Sequence, residues 1–266
     1  MYFEVDGEKI YSAGNLVANN GSKPVIVLLH GAGMDSSAWV YNTRCFSAQG
    51  CSVLAIDFPN HGLSKGGFLT SIEAMASWVL RCLDALGVDD FSVGGHSMGA
   101  LVALEIAGLA GKRVKRMALL GAGFPMEVSP ALLDAASKDL RSAKDMVVLW
   151  GHGSDAYKGG NTVAGINIMK SAHLLLERSL PGALFNDLNA CNEYQNGMIA
   201  AGNVCAVTII ISGKDDKMTP PRSSMGLLEE IKESSLAIVE KSGHMLLSEC
   251  PEAVHLKLKE ALFQLK

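Results

Sequence analysis

An open, doubly wound α/β sheet, mostly parallel and interrupted by a helical cap, is the fold this sequence predicts. Three observations carry that expectation. Short apolar runs lack polar alternation, helical patterns separate them, and a long stretch between Gly123 and Cys205 contains no convincing buried strand. Unbroken apolarity rich in β-branched residues suits a strand covered on both faces, as in a parallel sheet flanked by helices.

The elements follow in order. Phe3 and Val5, a turn at Asp6-Gly7, and Ile10 read as a hairpin through about Gly14 that adds antiparallel edge strands. Buried strands are expected at Val25–Leu29, Val53–Ile56, Met117–Leu120 and Val207–Ile211, with weaker ones at Phe91–Val93 and Leu236–Val239. Helical patterns lie between them at Ile72–Leu86 and Met98–Ala110. The last helix opens at Pro251, where a first-turn proline is tolerated, and places Val254, Leu258, Ala261, Leu262 and Leu265 on one face. The strandless stretch reads as helices at Pro130–Leu149 and Ile166–Leu180 joined by the glycine-rich segment Gly151–Gly165. It is expected to form a cap over 125–203, with 1–124 and 204–266 forming the core domain.

With 266 residues, 48% hydrophobic and 19% charged, the chain has enough apolar material for one large core with a modest insertion. A net charge of −4 and the lack of any dense Lys/Arg block argue against nucleic-acid binding. The run Lys112–Arg116 is expected to be a solvated turn between helix and strand. Six cysteines lie far apart with no C-x-x-C pair, which disfavours both a zinc site and a disulfide framework. The N-terminus is acidic where a signal peptide would be basic. The longest apolar stretch, Ala100–Ala110, is interrupted by Glu105 and Gly108 and is too short for a membrane span. A cytoplasmic protein with free thiols is expected; the sequence leaves a homo-oligomer open.

The sharpest motif is Gly95-His96-Ser97-Met98-Gly99, which follows an apolar run and opens an almost wholly apolar helix. This is the G-x-S-x-G nucleophile elbow in its strand–turn–helix setting. Its glycines are needed because the serine sits on a sharp, strained turn where neighbouring side chains would collide. A serine needs a base within hydrogen-bond reach. Of seven histidines, His244 lies in the loop after the last strand and before the final helix, at the carboxyl edge of the sheet. His96 adjoins the serine but points away from it and is expected to pack. His255 belongs to the last helix, and His152 and His173 to the cap. The base in turn needs a buried acid. Gly213-Lys214-Asp215-Asp216 leaves a strand into a turn and offers two aspartates, both open on the residues alone. The chain order Ser, Asp, His separates this arrangement from the other serine-protease orders. For the oxyanion, the backbone amide of Met98 pairs with that of Ala32 in the small-residue loop after the first parallel strand. Losing one such donor costs about 3 kcal/mol of transition-state stabilisation. His30, Gly31, Gly33 and Met245 are the expected neighbours of substrate. The loop lacks a G-x-G-x-x-G spacing and a Walker lysine, which argues against nucleotide binding.

On these residues the chain resembles the α/β-hydrolase superfamily over nearly its whole length. The matching segments are Leu28–Met34, Asp57-Phe58-Pro59-Asn60-His61-Gly62-Leu63-Ser64, the elbow, Gly213–Pro220 and Ser242–Glu252. The resemblance implies that the acid lies three residues after the glycine ending the strand, which is Asp216. It also implies a D-x-x-G-x-G-x-S turn in which Asn60 replaces the first glycine, a residue tolerant of the left-handed backbone. Asp57 and His61 are then structural. Dehalogenase-like and epoxide-hydrolase-like members need an aspartate nucleophile, which Ser97 argues against.

The resemblance points to a carboxylesterase acting on a small-molecule ester, with no metal and no cofactor. The cap methionines (Met126, Met146, Met169, Met198) suit an adaptable acyl pocket and equally an ordinary cap core. A carbon–carbon bond hydrolase is the alternative, with Arg141 and Arg178 as candidates to hold a dicarboxylic substrate. A thioesterase, a monoacylglycerol lipase and a ligand-binding receptor that keeps the triad are further alternatives.

Overall fold

A computed structural model describes residues 1–17, 24–139, 141–159 and 165–263. Its strands are β1 (Tyr2–Val5), β2 (Glu8–Ala13), β3 (Val25–Leu29), β4 (Ser52–Ile56), β5 (Phe91–His96), β6 (Val114–Leu120), β7 (Val207–Gly213) and β8 (Ser234–Val239). They form one sheet in the order β1-β2-β4-β3-β5-β6-β7-β8. β1 and β2 are antiparallel additions at one edge, and the pairings from β4 through β8 are parallel.

Local chemistry explains these elements. Asp6 and Gly7 both take left-handed φ values, 54° and 80°, which suits the tight turn of a right-twisting hairpin. β3 and β4 are buried at every residue, so their apolar runs need no alternation. β8 closes the far edge of the sheet and is mostly half-exposed or exposed, which is why its sequence signal is weak.

The core helices before the insertion are α1 (Val40–Ala48), α2 (Ile72–Ala85) and α3 (Met98–Ala110). Ser71 caps α2 by accepting the Ala74 amide at 3.1 Å. α3 is buried over its first ten residues, Glu105 included. Tyr194 Oη donates to that carboxylate at 2.6 Å and Asn196 donates to both its oxygens, so a charged residue is accommodated inside an apolar helix.

Between β6 and β7 the chain forms α4 (Pro130–Ser137), α5 (Arg141–Gly151), α6 (Ser154–Tyr157), α7 (Ile168–Glu177), α8 (Ala183–Glu193) and α9 (Gly197–Asn203). Two sequence expectations need correction here. The single helix over Pro130–Leu149 is two helices, parted where Asp139 adopts φ 50°. α8 and α9 occupy residues read from the sequence as unassigned. α4, α5 and α7 share an apolar cluster that includes Leu132, Val147, Val148 and Leu176, whereas Ala190, Tyr194, Ala200 and Val204 join the main core. The insertion thus changes from covering the sheet edge to packing against α3 within the length of α8. After β7 come α10 (Met225–Glu230), α11 (Leu246–Glu249) and α12 (Pro251–Leu262), the last with Val254, Leu258, Ala261 and Leu262 buried. Leu265, expected on the same face, lies outside the described residues, as does part of the Gly151–Gly165 segment.

Candidate active site

β3 has β4 on one side and β5 on the other, so the winding of the sheet reverses at β3. The crevice at the carboxyl ends of such strands is where open α/β sheets bind ligands. Leu29 of β3 pairs with Gly95 of β5, which sets the loop after β3 beside the loop after β5.

Ser97 stands at that crevice with φ 54° and ψ −117°. A Cβ on Gly95 would fall 1.9 Å from the Gly99 carbonyl oxygen, and one on Gly99 would fall 2.3 Å from that of Leu29. Neither glycine tolerates a side chain, so the motif is a steric requirement of the turn. The Ser97 amide donates to Leu120 O at 2.8 Å, which anchors the turn to β6. Met98 begins α3, and its amide is one of the donors that a helix leaves unpaired at its start.

His244 and Asp216 meet across two loops. His244 Nδ1 donates to Asp216 Oδ2 at 2.8 Å, and both side chains are almost wholly buried. The opposite ring edge, bearing Nε2, is left for the cavity that His244 and Ser97 both line. Asp216 also accepts the amides of Met218 and Thr219, each at 2.8 Å, and the Thr219 hydroxyl at 2.9 Å. Burial works to raise this carboxyl, but the His244 pair and the Thr219 donors outweigh it and hold it below the ordinary carboxylate range. Asp215 is exposed, and its amide donates to Ser242 O. Of the two aspartates, the structure brings Asp216 to the histidine.

The loop after β3 is a tight turn closed by the Met34 amide on Gly31 O at 3.1 Å, with Gly33 at φ 66°. Ala32 lies at the tip of this turn and lines the same cavity as Ser97 and His244. That cavity has a volume of about 400 Å³. Met126, Leu132, Trp150 and Leu188 supply apolar wall, and Glu127 and Lys217 border it. The chemistry available around this largely apolar chamber is a hydroxyl and an imidazole oriented by a carboxylate, with the small-residue turn at Ala32 beside them.

Residues 26–255 match the alpha/beta hydrolase family. The chain belongs to that family. It is 34% identical over 120 residues to the dihydrolipoyllysine-residue acetyltransferase component of the acetoin cleaving system of Pseudomonas putida, a match that spans 45% of this chain and 29% of that one. It is 22% identical to (E)-2-((N-methylformamido)methylene)succinate hydrolase of Acinetobacter baylyi, covering 88% of this chain and 89% of the relative. The solved enol-lactonase of Burkholderia xenovorans LB400 superposes with a TM-score of 0.86 at 20% identity, over 98% of both chains. At that identity the likeness shows the fold.

Several expected substrate neighbours in this alpha/beta hydrolase stand behind the cavity wall. His30 is completely buried; its Nδ1–H donates to Gly31 O at 2.9 Å and its Nε2 accepts the Phe58 amide at 3.2 Å. Burial, then nearby His61, lowers its pKa and keeps the ring neutral. Gly31 backs onto His96, and Gly33 backs onto Leu184. Met245 does border a narrow gap beside Ser97 and His244. Arg141 is exposed and points to Asp145 and Glu177, while Arg178 pairs with Asp35 at 2.8 Å. Neither lines the Ser97 cavity, where Lys217 is the bordering cation. Among the described residues, no cluster of His, Cys, Asp and Glu could hold a metal ion, and no helix is long and apolar enough to cross a membrane.

Three polar residues beyond those expected from the sequence organise this site. Thr219 braces Asp216 and lies 3.0 Å from His244 Nδ1; its signal was an Asp followed three positions later by a Thr, the spacing of a side-chain cap. Glu249 accepts the amides of Gly243 at 2.9 Å and Gly153 at 2.8 Å, tying the base loop to the insertion. Asp187 of α8 accepts the Gly33 amide at 2.8 Å. No local motif signals the last two. Asp57 accepts the Ser36 and Leu63 amides, and Asn60 takes φ 63° as its turn demands.

Proposed function

We propose that this chain hydrolyses carboxylic esters through an acyl-enzyme intermediate. One observation carries the reading: Ser97, on a strained elbow, shares an apolar cavity with His244, whose other ring nitrogen is locked onto the buried Asp216 carboxylate at 2.8 Å. In this reading His244 Nε2 takes the Ser97 proton as Oγ attacks the ester carbonyl, and Asp216 stabilises the imidazolium. The Ala32 and Met98 amides receive the oxyanion. The imidazolium then protonates the departing alcohol. Water, deprotonated by the same base, resolves the acyl-serine. The Ser97 hydroxyl has no hydrogen-bond partner among the described residues, in keeping with catalytic hydrogen bonds that tighten only around substrate.

The displaced Arg141 and Arg178 weaken a carbon–carbon hydrolase reading built on an arginine clamp. A narrower form of the ester reading, with a carboxylate-bearing substrate, is supported by Lys217 at the cavity rim and by similarity to a hydrolase named for a substituted succinate.

The test is Ser97→Ala assayed on a short-chain aryl ester, with fluorophosphonate labelling of the wild type. Turnover should fall by at least about 10³-fold and labelling should map to Ser97. Near-wild-type turnover in Ser97→Ala would refute the assignment.

A further inference from the structure

Asp187 belongs to the insertion, yet its side chain reaches into the loop after β3 and has no solvent exposure. Its Oδ2 accepts the Gly33 amide at 2.8 Å and faces His61 Nε2 at 3.0 Å, and its Oδ1 accepts Asn186 Nδ2 at 3.1 Å. An ionised carboxylate so placed is unfavourable unless its partners compensate. His61 is suited to that role. Its Nε2 meets Asp187, and its Nδ1 lies 3.0 Å from the Pro59 carbonyl oxygen. Both ring nitrogens therefore face acceptors, and a neutral imidazole has only one N–H to give. The geometry calls for the imidazolium.

The groups facing that ring are Asp187, Asp57, the neutral His30 with its centroid 5.2 Å away, and Phe68. Burial acts to lower the His61 pKa, but the Asp187 carboxylate, the Pro59 carbonyl and Asp57 raise it above the ordinary histidine value. Asp187 shifts downward correspondingly, because His61 and the Gly33 amide overcome its burial.

The Gly33 amide sits one residue from Ala32. Gly31 O takes hydrogen bonds from the Met34 amide and from His30 Nδ1. In a trans peptide N–H and C=O point in opposite directions, so holding Gly31 O inward turns the Ala32 N–H outward. Asp187 holds the far side of the same turn through Gly33.

We propose that Asp187, paired with His61, is a positioning residue that clamps the Gly31–Met34 turn and so aims the Ala32 amide at the developing oxyanion. The inference rests on the ester-hydrolase reading of Ser97 and adds to it a residue from the insertion. A cap that only covers the site would contribute binding. A cap that sets the oxyanion donor contributes to the rate of the chemical step.

The experiment compares full-length wild type, Asp187→Ala, Asp187→Asn and Ser97→Ala on one neutral aryl ester, with a trifluoromethyl ketone as transition-state probe. Asp187→Ala should lower kcat about 10- to 100-fold, short of the roughly 10²–10³-fold expected for full loss of a donor. KM should hold within about twofold, and affinity for the ketone should fall in step with kcat. Asp187→Asn keeps an oxygen for the Gly33 amide and should hold kcat within about threefold. Wild-type kcat in Asp187→Ala, or a loss confined to KM, overturns the proposal. Full turnover in Ser97→Ala overturns the underlying ester reading instead. Should Asp187→Ala not fold, NMR titration of His61 in the wild type decides. A midpoint above the ordinary value of about 6.5 supports the pair, and one at or below it overturns the proposal.

Discussion

His96 donates its Nε2–H to the main-chain carbonyl of His244 at 2.8 Å, and the two rings lie 5.0 Å apart between centroids, tilted by 46°. The residue before the expected nucleophile thereby supports the backbone of the expected base. Burial, then the neighbouring His244, lowers the His96 pKa to about 3, so the ring is neutral throughout the working range and its tautomer is fixed by that one bond. Its Nδ1 has no partner among the described residues. Packing, the role expected from the sequence, is therefore joined by a specific tether.

The first prediction concerns this tether. His96→Leu keeps most of the volume but leaves the His244 carbonyl buried without its donor, at a cost of about 1–3 kcal/mol. Urea unfolding should show that loss. kcat on an aryl ester should fall by roughly tenfold, equivalent to about 1.4 kcal/mol of lost transition-state stabilisation. Unchanged stability and unchanged kcat would show that the tether is idle.

Thr219 offers a second. Thr219→Val removes one of the donors on Asp216 while the two amides remain. A hydrogen bond to a charged group is worth about 1.5–3 kcal/mol, so kcat should fall by about tenfold or more with KM little changed. Thr219→Ser, which restores the hydroxyl, should recover most of the rate. Wild-type kcat in Thr219→Val, or a serine variant as slow as the valine one, would show that the hydroxyl does not by itself carry the effect.

The third is a dependence on pH. Burial raises the Glu249 pKa to about 7, with Asp216 adding to the rise and the Gly153 and Gly243 amides and His244 opposing it. Above its unfolded value the folded protein therefore holds a proton that the unfolded chain releases. Its contribution to stability is full at low pH and is lost as pH rises through about 7. Histidines lowered by burial, such as His96 and His152, slope the opposite way below the ordinary histidine value, so the informative quantity is a difference. Stability of the wild type minus that of Glu249→Gln, from urea unfolding, should decrease between pH 5 and pH 8. A difference that is flat or grows over this span would contradict the burial-driven shift.

The legible and illegible parts of this molecule divide along the range of the physics. Ser97, Asp216 and His244 each follow a strand end, and strand ends are local events marked by apolar runs and glycines; the structure sets Asp216 on His244 and both beside the Ser97 cavity. β8 gave a weak signal because an edge strand is half wet. α8 gave none because Asn186 and Asp187 interrupt its apolar face, and polar residues there read as a break. Their partners lie far away in sequence, on Leu69, Gly33 and His61. His30, Gly31 and Gly33 share the loop after β3 with Ala32, but His30 is turned back onto the Phe58 amide. Side chains at Gly31 and Gly33 would meet His96 and Leu184, long-range contacts that the local sequence does not mark.

Glu249 reaches from α11 to Gly153, and Asp187 reaches from α8 to Gly33, so buried carboxylates rivet the insertion to the sheet at two separate points. Swinging the whole roof aside would strip both of their amide partners at once. With the insertion held at both points, the fixed walls of the cavity beside Ser97, rather than the sway of a hinge, would set which molecules fit.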